Sequence, residues 1–174
     1  GSLGMNTGQV YRWRPGQGYA AVPNTRGAYP NGITLGADGK RFYLNLYLDG
    51  EVREHDLESG EVLRRVEIAK PDNGTLTDDA TLLVASHDAA LSSLLAAIVA
   101  PPEKPNTIPF DIVAVDLDDF RPRRVFRSDG AALGGGTVAQ PVGAHLYIGA
   151  FRGDRILRVP YAPGAPGTGG AAGE

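Results

Sequence analysis

The chain has no cysteine, one methionine and one tryptophan among its 174 residues. Without cysteine it can have no disulfide framework, no thiolate metal site and no cysteine nucleophile, and its compartment is left undetermined. Its net charge is −3, with no basic stripe. A nucleic-acid partner or an anionic membrane surface therefore has no electrostatic support. The longest apolar run, residues 89–102, is broken by Ser92 and Ser93 and is too short to span a bilayer. No secretory leader is visible in the opening GSLGMNTGQVYRW, and we read the chain as a piece of a longer protein. There is no GxSxG, so a serine nucleophile on a strand-to-helix elbow is not supported. Gly134-Gly135-Gly136 is followed by neither GK[ST] nor a helix, so it is not a phosphate loop.

What the chain does have is a repeat. Residues 38–47 read DGKRFYLNLY, residues 79–87 read DATLLVASH, and residues 143–151 read GAHLYIGAF. Each is a turn followed by a strand of bulky residues. Leu44 and Val84 are 40 residues apart, and Val84 and Ile148 are 64 apart, the second interval carrying an insertion of about 22 residues. Short strands at a period of about 40 residues are the signature of propeller blades. The sequence predicts an all-β propeller of about three and a half four-stranded blades from a six-bladed ring. Two strands, at 9–14 and 19–22, precede a full blade at 33–35, 42–48, 51–57 and 62–68. A second blade occupies 74–77, 81–86, 111–117 and 123–127, and a third occupies 137–141, 145–150 and 155–161. The propeller unit is expected over 1–161, as the C-terminal half of a ring whose N-terminal half is its missing partner. The Gly- and Pro-rich tail, 162–174, is expected to be disordered.

The insertion, 88–109, lies between the second and third strands of its blade. Leu91, Leu94, Leu95, Ile98 and Val99 repeat at helical spacing, with Asp88 as the expected N-cap and Pro101-Pro102 as the stop. Loops that lead into inner strands and those that follow second strands open on one face of a propeller. Asn31, Asp72, Asn73 and His87 fall there. Asn31 and Asp72 are 41 residues apart, one blade, and are expected to point at the axis. One carboxylate with carboxamide oxygens suits a hard cation such as calcium, which takes six to eight oxygens. Such an ion could polarise a lactone or ester carbonyl, with His87 assisting proton transfer. His55 and His145 fall on strands away from this face. Tyr11 and Trp13 are expected to pack between blades, Arg152 and Asp154 to form a turn contact, and the basic stretch 121–127 to be a solvated outer edge.

The motifs PNGI (30–33), PDN (71–73), LLVASH (82–87) and GGGTVAQPVGAHLYIGAFRGDRILRVP (134–160) resemble six-bladed propeller enzymes of the gluconolactonase/senescence-marker-protein and arylesterase/paraoxonase type. Strictosidine synthase-like proteins are more distant relatives. The resemblance covers residues 8–161. It implies a calcium- or other divalent-metal-dependent hydrolase acting on a small lactone or aryl ester. It maps metal ligands onto Asn31 and Asp72, with Asn73 adjacent, and a pocket histidine onto His87. The remaining ligands and the main catalytic residue of those families come from earlier blades, so this fragment alone is expected to be inactive. A non-catalytic ligand-binding propeller and a strictosidine synthase-like enzyme remain alternatives.

Overall fold

The computed structural model describes residues 6–101, 103–163 and 168–169. Strands β1 (Tyr11–Arg14) and β2 (Gly18–Ala21) form a two-stranded hairpin. Strands β3 (Pro30–Leu35), β4 (Arg41–Leu46), β5 (Glu51–Asp56) and β6 (Val62–Glu67) form a four-stranded antiparallel meander. The next blade contains β7 (Pro71–Leu76), β8 (Thr81–His87), β9 (Phe110–Asp116) and β10 (Pro122–Ser128). Helix α1 (Leu91–Val99) is inserted between β8 and β9. Strands β11 (Gly136–Val142), β12 (His145–Ala150) and β13 (Leu157–Pro160) make a three-stranded sheet. The tail expected to be disordered lies almost wholly outside the described residues. Within it, β14 (Thr168–Gly169) pairs in parallel with β10.

This is the propeller arrangement anticipated from the repeat: successive antiparallel blades with their first strands side by side. Thr34 Oγ1 on β3 donates to Gly74 O on β7 at 3.0 Å. Asn73 Nδ2 on β7 donates to Thr137 O on β11 at 3.2 Å.

The second strand of each blade explains the stacking. Successive side chains of a strand point to opposite faces, and β4 and β8 are buried on both along nearly their whole length. Phe42, Leu44 and Leu46 of β4 join Val22 in one cluster, while Tyr43 faces the next blade. Leu82 and Val84 of β8 complete that second cluster with Val52, Val66, Val115 and Phe120. Leu83 and Ala85 turn the other way and pack with Phe110, Ile112, Leu146 and Ile148. The core is thus a series of layers between blades, each layer shared by two sheets. Tyr11 and Trp13, expected in such a layer, are exposed instead. Their hairpin has no third strand beside it among the described residues.

One buried ion pair ties two blades together. Glu54 on β5 is 1% exposed and accepts from Arg64 Nε at 2.5 Å and Nη2 at 2.9 Å, and from Arg41 Nη1 at 3.1 Å. The same Arg64 reaches the adjacent blade, donating to Leu117 O at 2.9 Å and Asp118 O at 3.1 Å. Its guanidinium lies 4.6 Å from the centre of the Phe120 ring. Burial alone would raise the Glu54 carboxyl, but the two guanidiniums outweigh it and hold the group below the usual carboxylate range. A depressed carboxyl stabilises the fold above its unfolded pKa of about 4 and loses that contribution as pH falls toward the folded value. Glu54→Gln is expected to lower stability by about 2–3 kcal/mol at pH 7 and by less at pH 3, measured as urea midpoints. An equal loss at both pH values would show that packing, not charge, is what the substitution removes.

Candidate functional site

Each inner strand begins with a residue of positive φ. Tyr29 has φ 59° and Lys70 φ 42°, both immediately before proline, and Gly135 has φ 63°. A non-glycine residue in this region costs roughly 1–2 kcal/mol, and a following proline disfavours helical backbone further. The conformation is held by the end of the neighbouring strand. Tyr47 N donates to Tyr29 O at 3.0 Å, His87 N to Lys70 O at 3.3 Å and Phe151 N to Gly135 O at 3.3 Å.

Directly after each of these residues the strand pairing slips by one. The register passes from Pro30↔Leu46 to Ile33↔Leu44, from Pro71↔Ser86 to Gly74↔Val84, and from Gly136↔Ala150 to Val138↔Gly149. These are β-bulges, which unpair a residue and re-aim its side chain. The residues released are Asn31 with Gly32, Asp72 with Asn73, and Thr137. The inner strands therefore start at Pro30, Pro71 and Gly136, whereas the sequence pattern predicts starts at 33, 74 and 137. The bulge breaks the alternation that would have marked the earlier residues as strand. Gly32 is required here, because a Cβ would lie 2.4 Å from Asp72 O.

The released side chains meet. Asn31 Nδ2 donates to Asp72 Oδ1 at 2.8 Å, and Asn73 Nδ2 donates to the same oxygen at 2.9 Å. The Asp72 main-chain carbonyl accepts from Asn45 Nδ2 at 2.5 Å. Asp72 is 8% exposed, and no lysine or arginine pairs with it among the described residues. Burial pushes its carboxyl up to about 6, a rise the Asn31 amide only moderates.

Beside this floor runs a row of rings, one from the end of each second strand. Tyr47, His87 and Phe151 follow one another edge-to-face, with centroids 5.7 and 5.9 Å apart, and Tyr29 extends the row 5.8 Å from Tyr47. Gly136 O can only accept, so the 3.0 Å contact assigns the proton to His87 Nε2. Nδ1 then accepts from the Tyr47 hydroxyl at 2.7 Å. Burial lowers the imidazole pKa and raises that of the phenol, the latter helped by the Asp72 charge, so both are neutral. His87 Nε2 and Asp72 Oδ2, 3.9 Å apart, are beyond hydrogen-bond reach.

Helix α1 closes one side. Only Leu94 is buried, against Tyr47 and Ile108. The N-cap is Ala90, with no side-chain capping bond, rather than Asp88. Asp88 is taken by Arg127 at 2.6 Å, which removes it from the cap. At the other end Arg152 donates to Ala97 O at 2.6 Å and also to Pro101 O. Arg152 thus serves the free carbonyls of the helix terminus instead of the turn contact with Asp154, which pairs with Arg155. Floor, ring row and helix enclose a half-open cavity of about 580 Å³.

The four residues expected at the site, Asn31, Asp72, Asn73 and His87, all line this cavity. His55 is elsewhere, buried in β5, stacked on Phe42 with Nδ1 3.0 Å from Gly60 O. Tyr47, Phe151, Thr137 and Asn45 were not anticipated. Three of these were within reach of the repeat: Tyr47, His87 and Phe151 stand three residues after Leu44, Val84 and Ile148, and Thr137 occupies the position of Asn31 and Asp72. Among the described residues no group of three or more His, Asp or Glu side chains is placed to hold a metal. Any cation here would rely on Asp72 and neutral oxygens.

No family model matches the chain, and no curated protein sequence matches it. Its fold is similar to that of a periplasmic gluconolactonase from Pseudomonas aeruginosa, at 22% identity and a TM-score of 0.56 over 92% of this chain and 46% of that one. A Bacteroides caccae protein of unknown function matches at 21% identity and a TM-score of 0.48, over 74% of this chain and 44% of that one. The β-propeller domain of a Myceliophteria thermophila protein matches at 13% identity and 0.49, over 84% and 47%. The chain spans less than half the length of each of these structures.

Two outcomes are expected. The raised Asp72 carboxyl favours the protonated form, so its charge costs stability above pH about 6 and that cost is relieved as pH falls toward 4. Asp72→Asn should therefore be more stable than the parent at pH 8, by up to about 3 kcal/mol, with the difference shrinking by pH 4.5 in urea titrations. A variant less stable at pH 8 would mean that the carboxylate is satisfied. Arg152→Ala should raise amide exchange across 91–101 at least tenfold and leave β4 and β8 protected, measured by hydrogen–deuterium exchange. Unchanged exchange would show that Leu94 alone holds the helix.

Proposed function

We propose that the chain is the C-terminal half of a propeller hydrolase that uses a divalent metal, calcium in the simplest case, to open a small lactone or aryl ester. The observation that carries this reading is a buried carboxylate with no cationic partner, flanked by two carboxamides at the floor of a ligand-sized cavity. The propeller similar in fold is named a gluconolactonase, which supports the same substrate chemistry.

The donor set fits part of a hard-cation site. Asp72 brings the single negative charge. Asn31 and Asn73 turn their amide nitrogens to Asp72, and neither carboxamide oxygen has a donor among the described residues. These residues would hold the ion, and the rest of its six to eight oxygens would come from water and the other blades. When bound, a divalent ion supplies Lewis-acid polarisation of the scissile carbonyl.

The chain's own residues have further roles. Helix α1 and Phe151 narrow the cavity and limit water at the reacting carbonyl. The Tyr47 hydroxyl lines the cavity and hands its proton toward His87 Nδ1. As an attacking water adds, Tyr47 oxygen takes the water's proton while Nδ1 takes the phenol's. The pair so acts as one neutral base. Proton return to the leaving alkoxide by the reverse path regenerates the neutral imidazole.

A second reading, a ligand-binding propeller without turnover, is favoured by one feature: both nitrogens of His87 are engaged. The full-length protein separates the two. Lactone and phenyl ester hydrolysis should vanish with chelator, return with calcium, and fall about 100-fold or more in Asp72→Ala. A folded protein that hydrolyses nothing and is indifferent to chelator would favour the binding reading.

A further inference from the structure

The joints between blades are closed by arginines at one place in the repeat. With β1 and β2 taken as the third and fourth strands of their blade, Arg12, Glu54, Ala114 and Arg158 each lie two residues before the end of a third strand. Arg12 faces the blade that follows: its Nη1 donates to Leu57 O at 3.0 Å and to the Glu58 carboxylate at 3.1 Å. At the next joint the arginine comes from the fourth strand, through the ladder pair Glu54↔Arg64. Arg64 donates to Leu117 O at 2.9 Å and to Asp118 O at 3.1 Å. Leu57 and Leu117 are themselves equivalent. Each follows a third strand, and each N–H donates to the residue before a second strand, Lys40 O at 2.8 Å and Ala80 O at 3.1 Å. In both joints, therefore, a guanidinium clasps the turn between the third and fourth strands of the next blade. It takes the carbonyl of the first turn residue, and the second turn residue is acidic, Glu58 or Asp118.

The third joint keeps the pattern. Its arginine stands in the ladder pair Ala114↔Arg123. Tyr161 is the equivalent of Leu57 and Leu117, its N–H donating to Ala144 O at 2.8 Å. Burial raises the Tyr161 phenol, and the charge of Arg123 opposes that rise. Arg158 then holds the same position in the last blade. Its neighbour Val159 is buried in the layer shared with β9 and β10. Successive side chains of a strand alternate, so Arg158 points away from that layer. It is exposed, and no hydrogen bond or ion pair engages it among the described residues. An exposed arginine is ordinary on a surface. What distinguishes this one is its place in the repeat.

We infer that Arg158 is an interblade clasp, and that its partner is the turn between the third and fourth strands of another blade of the full-length protein. That turn is bound through its main-chain carbonyls and an acidic side chain at its second position. This rests on the reading of the chain as part of a larger propeller. A second copy of the chain is the poorer partner. Its open turn is the one that follows β1, where Gly16 stands in the place of Glu58 and Asp118 and offers no carboxylate. Arginine suits the task because its planar fork reaches two acceptors at once and keeps its charge. The clasp bears on the site, since Thr137 and Phe151 of the same blade both line the cavity.

The test uses the full-length protein with the photo-crosslinking amino acid p-benzoylphenylalanine in place of Arg158. Irradiation should join that position, within one polypeptide, to the turn between the third and fourth strands of a blade outside residues 1–174, as mapped by peptide mass spectrometry. Amide exchange gives a second readout. A charge-assisted hydrogen bond is worth about tenfold, so Arg158→Ala should raise exchange across 145–160 about tenfold and leave β4 protected. Arg158→Lys should raise it less. A crosslink to a second copy or to any other segment, no crosslink, or unchanged exchange in Arg158→Ala overturns the inference. Lactone hydrolysis is scored on the unsubstituted protein. The expected crosslink in a protein that hydrolyses nothing keeps the clasp and removes the hydrolase, and metal-dependent hydrolysis without that crosslink does the reverse.

Discussion

Burial of the second strand on both faces is the constraint on which this structure depends. Strands β4 and β8 are buried on both faces along nearly their whole length, so neither lies at a surface. Each must be sandwiched between sheets, and the repeat of about 40 residues supplies those sheets at regular intervals. Layers built in this way leave polar groups nowhere to go except the strand ends. Asp72 and His87 sit at such ends, near-buried yet open to the cavity. Within the layers, Glu54 is buried with Arg64 and Arg41 on it, and His55 is buried against the Phe42 ring.

The strand ends present polar side chains because the backbone there is irregular in the same manner three times. A residue of positive φ and a bulge begin each inner strand, and the bulge turns out a side chain that a regular ladder would have kept in register. Evolution of a site on such a scaffold needs only a change of residue at the released position. Here the positions hold Asn31, Asp72 with Asn73, and Thr137. The ring row at the ends of the second strands is the matching feature one strand outward. Tyr47, His87 and Phe151 take equivalent places, and only His87 carries an imidazole, whose pKa burial lowers. Local strain at Tyr29 and Lys70 is tolerated because the fold over-determines those positions.

Much of this was legible in the residues. The repeat located the blades, and the apolar runs at 42–46 and 82–85 marked their buried strands. Blade position brought Asn31, Asp72, Asn73 and His87 to one place, where the structure also gathers them. What was not legible depends on contacts far apart in the chain. The bulges moved strand starts back to Pro30 and Pro71, and nothing in Pro-Asn-Gly or Pro-Asp-Asn separates a bulged strand from a turn. Asp88 looks like a helix cap, but Arg127, 39 residues on, takes it. Arg152 looks like a turn residue and instead closes the helix 51 residues before it. Tyr47 looked like part of a strand, and its role appears only once His87 is beside it.

The central claim is that the bulged strand ends hold a hard cation at Asp72. Terbium luminescence in the full-length protein tests it most directly, because a terbium ion bound there would sit close to Tyr47 and Tyr29 and be sensitised by their excitation. The account predicts tyrosine-sensitised emission at pH 7.5 that calcium displaces, that fades below pH 6, and that Asp72→Ala abolishes. Emission that survives in Asp72→Ala, or a folded protein that gives none, would contradict it.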